Sequence, residues 1–201
     1  MSKENPSKKI KLGLISQSSS FINVYSIFYS YLENAKLKYY NIRDENHYEF
    51  CYKSLPDFAI SINHFKDGKD NDNNNKYKIY NFFLIFIDIQ KENNKTNIFL
   101  EKTIERIISA NKDDFNKKYY IFGFYENDEK ERINKDKIGS ILESKGIEYL
   151  YNEIKKENLE NFGNKLKFII NDCITIMTEK FLAQKQIELI PDESRSNCFL
   201  F

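Results

Sequence analysis

The stretch YNFFLIFID, Tyr80 to Asp88, decides the fold. From Phe82 to Ile87 every residue is apolar. A strand with one face in water alternates apolar and polar residues. A strand apolar at successive positions is covered on both faces, as a central parallel strand is. The run is also far too short to span a bilayer, which takes about 20 apolar residues in a helix.

Toward the C-terminus, helix-period and short apolar segments alternate. Asn97 to Ala110 places Ile98, Leu100, Ile104, Ile107 and Ile108 at helical spacing, and Tyr119 to Phe124 reads as a strand. Ile133 to Ser144 reads as a helix and Gly146 to Tyr151 as a strand opened by glycine. Leu159 to about Lys185 reads as a long final helix with Phe162, Leu166, Ile169, Ile170, Cys173, Ile176 and Met177 inward.

Toward the N-terminus, the charged, Asn-rich stretch Lys66 to Lys76 reads as a solvated loop. Before it come two alternating segments, His47 to Tyr52 and Phe58 to Ile62, broken at Pro56 and suited to antiparallel pairing. A helix carrying Ile22, Tyr25, Ile27, Phe28, Tyr31 and Leu32 precedes them. The buried strand Ile10 to Ile15 opens the order and runs into Ser16 to Ser20. This order predicts an α/β domain with a mostly parallel six-stranded sheet and helices on both faces. We divide the chain into a polar N-terminal extension (1–9), one domain (10–187) and a flexible tail (188–201).

The 201 residues suit one domain of this kind. An apolar fraction of 41% and an aromatic fraction of 15% argue against general disorder. Thirty-one basic against thirty acidic residues leave +1, which gives no footprint for nucleic acid. Cys51, Cys173 and Cys198 form neither a CxxC pair nor a metal spacing, and an odd, scattered set fits a reducing compartment. No metal site is expected.

The element order resembles the Ras superfamily of small GTPases, Rab-like members included, over about Lys9 to Lys185. YNFFLIFID looks like that family's fourth strand, which ends in Asp. Tyr119-Tyr-Ile-Phe-Gly-Phe-Tyr-Glu-Asn127 stands where the family has its fifth strand and guanine-reading NKxD. Gly146-Ile-Glu-Tyr-Leu-Tyr-Asn-Glu-Ile-Lys155 resembles the segment that carries SAK. The resemblance implies the P-loop NTPase fold and, in a working member, GTP or GDP bound with Mg²⁺.

The motifs themselves are eroded. In GxxxxGK[ST] the glycines let backbone N–H groups wrap the phosphates and the lysine neutralises them. Here Ser16 and Phe21 stand at the glycines, Ile22 at the lysine and Asn23 at the Mg²⁺-binding hydroxyl. Ser18, Ser19 and Ser20 could hydrogen-bond an anion, or form a polar turn that caps the next helix. Phe124, Tyr125 and Asn127 replace the base-reading Asn, Lys and Asp; of SAK only Lys155 remains. Asn63-His-Phe-Lys66 stands where DxxG belongs, and Asn34 to Glu49 holds no switch threonine. Ser16, Ser18, Ser19, Ser20 and Asn23 are therefore read as a vestigial phosphate-loop position, and Asn127 and Lys155 as a vestigial base-reading position. We expect no bound cofactor and no GTP turnover. Two other patterns have a catalytic reading. His47, His64 and Cys51 could suggest a Cys/His nucleophile, but no third group orients them. Asp88 has no second carboxylate beside it and reads as a backbone cap.

The chain ends Cys198-Phe199-Leu200-Phe201, a C-a-a-X sequence with Phe at X, which typically directs geranylgeranylation of the cysteine. One lipid attaches a protein only reversibly, so a second contact is expected. The resulting expectation is a pseudo-GTPase held peripherally on the cytosolic face of a membrane. It would act through protein partners in trafficking or signalling, with its partner surface near Asn41 to Asp70 by analogy with the family's effector region. A divergent but active GTPase and a longin-like trafficking domain are the alternatives. Longins usually begin with a run of antiparallel strands.

Overall fold

A computed structural model describes residues 8–18, 22–66, 74–90, 94–111, 117–126, 132–133 and 135–188. The elements run β1 (Lys8–Ser16), α1 (Val24–Asn34), β2 (Leu37–Asp44), β3 (His47–Tyr52), β4 (Phe58–Lys66), a 3₁₀ helix (Asn74–Ile79), β5 (Phe82–Asp88), α2 (Asn94–Ala110), β6 (Lys118–Tyr125), α3 (Lys135–Glu143), β7 (Tyr149–Lys155) and α4 (Leu159–Glu188). The chain divides into two compact units, Met1–Lys165 and Leu166–Phe201, so the division falls within α4.

In the first unit the strands form one sheet of order β2-β3-β4-β1-β5-β6-β7. β1 is parallel to both β4 and β5, and β5-β6-β7 continue in parallel. β2-β3 and β3-β4 are antiparallel. The parallel pairing of Leu12 to Ser16 with Phe82 to Phe86 is what the alternating element order predicts. Among the described residues the sheet has seven strands where six are expected. The additional one is β2, in the stretch the small-GTPase resemblance would make a switch loop.

Successive residues of the central strands enter opposite cores. Phe83, Ile85 and Ile87 of β5 join Ile15, Tyr119 and Ile121 beneath Leu100, Ile104 and Ile107 of α2 and Ile138 and Leu142 of α3. On the other face Phe86 lies 6.3 Å from Phe28 of α1 and 5.8 Å from Phe162 in the first turn of α4, ring centre to ring centre. Phe162 also contacts Phe122 and Phe124, and Phe28 stacks on Tyr48 of β3. Both faces are therefore covered. The stretch read as a solvated loop gives way to a 3₁₀ helix whose Tyr77 is buried against Phe65 and Phe83.

Gly146, expected to open a strand, instead ends α3. Its φ of +66° suits glycine, its N–H donates to Glu143 O, and Ile147 N–H donates to Leu142 O. This is a Schellman closure, and β7 starts only at Tyr149. In the second unit, Leu166, Ile169, Ile170 and Cys173 form a buried stripe at helical spacing, while Phe168 and Leu182 are exposed. Among the described residues no helix is long and apolar enough to cross a membrane.

Candidate functional site

In a sheet of this topology the ligand crevice lies outside the C-terminal strand ends, where β1 separates chain running to either side. Here those ends are tied together by side chains. Gln17 succeeds the last residue of β1, and its backbone N–H donates to Phe86 O at 2.9 Å. Its amide oxygen accepts from Asp88 N–H at 2.9 Å and its amide nitrogen donates to Thr96 Oγ1 at 3.0 Å. The Thr96 hydroxyl donates in turn to Asp88 O at 2.9 Å. Gln17 thus joins the end of β1 to the end of β5 and the first turns of α2.

The lacing continues to β6. Asp88 Oδ1 accepts from Gln90 N–H at 2.9 Å, the capping role read for it from sequence. The Gln90 side-chain oxygen accepts from Glu126 N–H at 3.2 Å. Gln90 is buried, and its amide nitrogen has no hydrogen-bond partner among the described residues.

On the other side of Gln17 lies an open cleft of about 550 Å³, lined in part by Ser16, Ser18, Asn23, Tyr25, His64 and Lys66. Ser16 is buried, and its hydroxyl is 2.7 Å from His64 Nε2. Asn23, at the position of the Mg²⁺-binding hydroxyl, caps α1: its Oδ1 accepts from Ser26 N–H at 3.0 Å. The cap is therefore Asn23 and not the serine run. Ile22, at the lysine position, is buried. Of the phosphate-loop residues, Ser16 and Asn23 already have hydrogen-bond partners and Ser18 is exposed; Ser19 and Ser20 lie outside the described residues.

At the base-reading end, Phe124 is buried against Phe86 and Phe162, and the Tyr125 ring carries the Arg132 guanidinium 4.2 Å above it. Lys155 ends β7 opposite Tyr125 and lies 3.9 Å from Glu157. Asn127 and Cys198 lie outside the described residues. Two of the three substituted motif positions are thus occupied by packing roles.

Neither histidine is brought to Cys51. His64 engages Ser16, and His47 Nδ1 lies 2.7 Å from Asn63 Oδ1. The Cys51 thiol is buried, its sulfur 3.6–3.7 Å from three backbone carbonyl oxygens, and burial raises its pKa. A thiol held protonated in this way is a poor nucleophile. Among the described residues no group of three His, Cys, Asp or Glu could hold a metal ion. Sequence reasoning missed Gln17, Thr96 and the Ser16–His64 pair, since the partners are 79 and 48 residues apart.

The fold and this edge define a mixed α/β domain whose β1, β5 and β6 ends are laced together by side chains beside an open cleft. A scan against protein-family models finds no match for this chain, and none of the curated proteins searched matches it.

Proposed function

We propose that the protein is a small-GTPase-shaped interaction module that binds protein partners without turning over guanine nucleotide, attached to the cytosolic face of a membrane through a lipid on Cys198. The single observation that carries the reading is the Gln17–Asp88–Thr96 network at the end of β1. A phosphate loop needs free backbone N–H groups and a cation there. In this chain the Gln17 amide takes the Asp88 N–H, a buried Ile22 replaces the lysine, and Asn23 is committed to its helix.

The fold supports the small-GTPase shape. With β2 set aside, the remaining six strands have the order and directions the resemblance implies. α1 and the start of α4 then share one face, with α2 and α3 on the other. The parallel pairing of β1 with β5 disfavours the longin alternative. The partner surface of this reading falls within Asn41 to Asp70, on the end of β2 and on β3 and β4; residues 67–70 lie outside the described residues. The pathway class is trafficking or signalling.

The test is thermal melting of purified protein with GTP or GDP and Mg²⁺. A ligand at a hundredfold over its dissociation constant adds about 2.7 kcal/mol of stability, so binding would be plain as a melting shift. No shift is expected. A guanine-specific, Mg²⁺-dependent shift overturns the reading in favour of an active, divergent GTPase.

A further inference from the structure

We propose that the outer edge of β2 pairs antiparallel with β2 of a second copy of this chain, about a two-fold axis that sets Asn41 opposite its own counterpart. This does not depend on the nucleotide reading above.

β2 is the sheet's terminal strand, with β3 as its one neighbour among the described residues. Its register with β3 is uniform from Tyr39 to Ile42 and shifts between Leu37 and Tyr39 and between Ile42 and Asp44. Bulges of this kind limit how far an added strand can pair. They leave one short regular stretch centred on Tyr40 and Asn41.

The face beside that stretch is aromatic. Tyr40 pairs with Phe50, and Ile42 with Tyr48. Phe50 and Tyr48 in turn contact Tyr31 and Phe28, so Tyr40 and Ile42 point to the α1 side. There Tyr25 and Tyr29 stack with ring centres 6.0 Å apart. Tyr25, Tyr29 and Tyr40 are 40%, 46% and 43% exposed, two large rings on α1 and one on the edge strand beside it. With Ile42 they line a shallow hollow of about 680 Å³. Exposed tyrosines gathered in one patch mark an interaction surface.

Charge identifies the occupant as another β2. Lys36 and Lys38 are exposed at one end of the strand, and Asp44 and Glu45 at the other. Arg43 turns toward Glu49, 3.9 Å away. An antiparallel copy centred on Asn41 sets Tyr40 against Ile42, and beyond the regular stretch it brings the Lys38 end of one strand to the Asp44 end of the other, twice by symmetry. Opposite charges and aromatic–aliphatic pairs are favourable cross-strand neighbours, and a two-fold interface must be self-complementary in this way. The axis stands normal to the sheet, so both α1 helices lie on the same side and their tyrosine patches approach each other.

The test uses the full chain in a Cys198→Ser background. Residues directly opposite in an antiparallel pair have Cα atoms about 4.5–5.5 Å apart, within disulfide reach. Asn41→Cys is expected to form a disulfide-linked dimer on mild oxidation. Arg43→Cys is not, because it would lie four residues, roughly 13 Å, from its counterpart. In sedimentation, the otherwise unaltered chain is expected to dimerise reversibly with concentration. Lys38→Glu and Asp44→Lys should each weaken that dimer, and an equal mixture of the two should restore it, since every cross-strand pair is then of opposite charge. A chain that stays monomeric to its solubility limit overturns the proposal. So does a dimer indifferent to Lys38→Glu, or equal cross-linking at positions 41 and 43.

Discussion

Gln17 is partly buried at the end of β1, and its side chain makes hydrogen bonds to Asp88 and Thr96, both more than seventy residues away. Removing one partner of such a set leaves a donor or acceptor with nothing to bond, which costs about 1–3 kcal/mol where water cannot substitute. Gln17→Leu should therefore lower stability by about 1–2 kcal/mol, because it strands Asp88 N–H and one bond of Thr96. Thr96→Val should cost a similar amount, losing its bonds to Gln17 and to Asp88 O. The double variant should cost less than the sum of the two, since the substitutions delete a shared bond. Chemical denaturation of the four proteins measures this, and strict additivity would show that the network does not act as a unit. Nothing in the sequence marks Gln17 out. A lone glutamine acquires its role only when folding brings Asp88 and Thr96 to it. Asn23 was hidden differently: the sequence reading gives the cap to the serine run beside it, which has similar capping chemistry, and reads Asn23 only as the Mg²⁺-site position.

Elements were legible in proportion to how fully they are buried. β5 could be read because both of its faces are covered, and α2 because its core residues recur at helical spacing. β2 could not. As an edge strand it is exposed on much of both faces, and Lys38, Tyr40, Ile42 and Asp44 do not alternate with polar residues as a core-facing set would. The 3₁₀ helix was lost because its buried anchor, Tyr77, comes after a long polar run. The packing of β6 gives a sharper test at this scale. Gly123 pairs with Ile87 of β5 and Glu153 of β7. A Cβ there would come within 2.6 Å of the Tyr151 hydroxyl and 2.9 Å of Ile89 Cγ2. Gly123→Ala should therefore destabilise the domain by about 1–3 kcal/mol through overpacking, with a correspondingly lower melting temperature. Combining it with Tyr151→Phe, which removes the closest atom, should recover part of the loss. An unchanged melting temperature for Gly123→Ala would mean that β6 and β7 adjust freely.

For the molecule as a whole, the proposed anchor makes a separate prediction. Lipid burial contributes about 0.8 kcal/mol per CH₂, so one chain supplies most of a singly lipidated protein's membrane affinity. Cys198→Ser should move the protein from the membrane to the soluble fraction of its native cell, because a hydroxyl cannot form the thioether. Phe201→Ser should shift the lipid toward farnesyl and weaken attachment without abolishing it. Recovery of the native protein with an unmodified Cys198-Phe-Leu-Phe201 end, read by mass spectrometry, would remove the anchor from the proposal. The strand order has a consequence of another kind, for the order in which the chain can be built. β1 is made first, yet it sits in mid-sheet between β4 and β5, and its partners end at Lys66 and Phe86. β2, β3 and β4 can pair locally as soon as they emerge, and β5, β6 and β7 can each add to an existing edge. Only β1 must wait for both neighbours. At about 5–20 residues per second, Leu12, Leu14 and Ile15 stay without their second neighbour for roughly 4–15 s of synthesis. A nascent chain from which β4 has emerged and β5 has not would therefore hold β1 open on one side, a ready target for a chaperone.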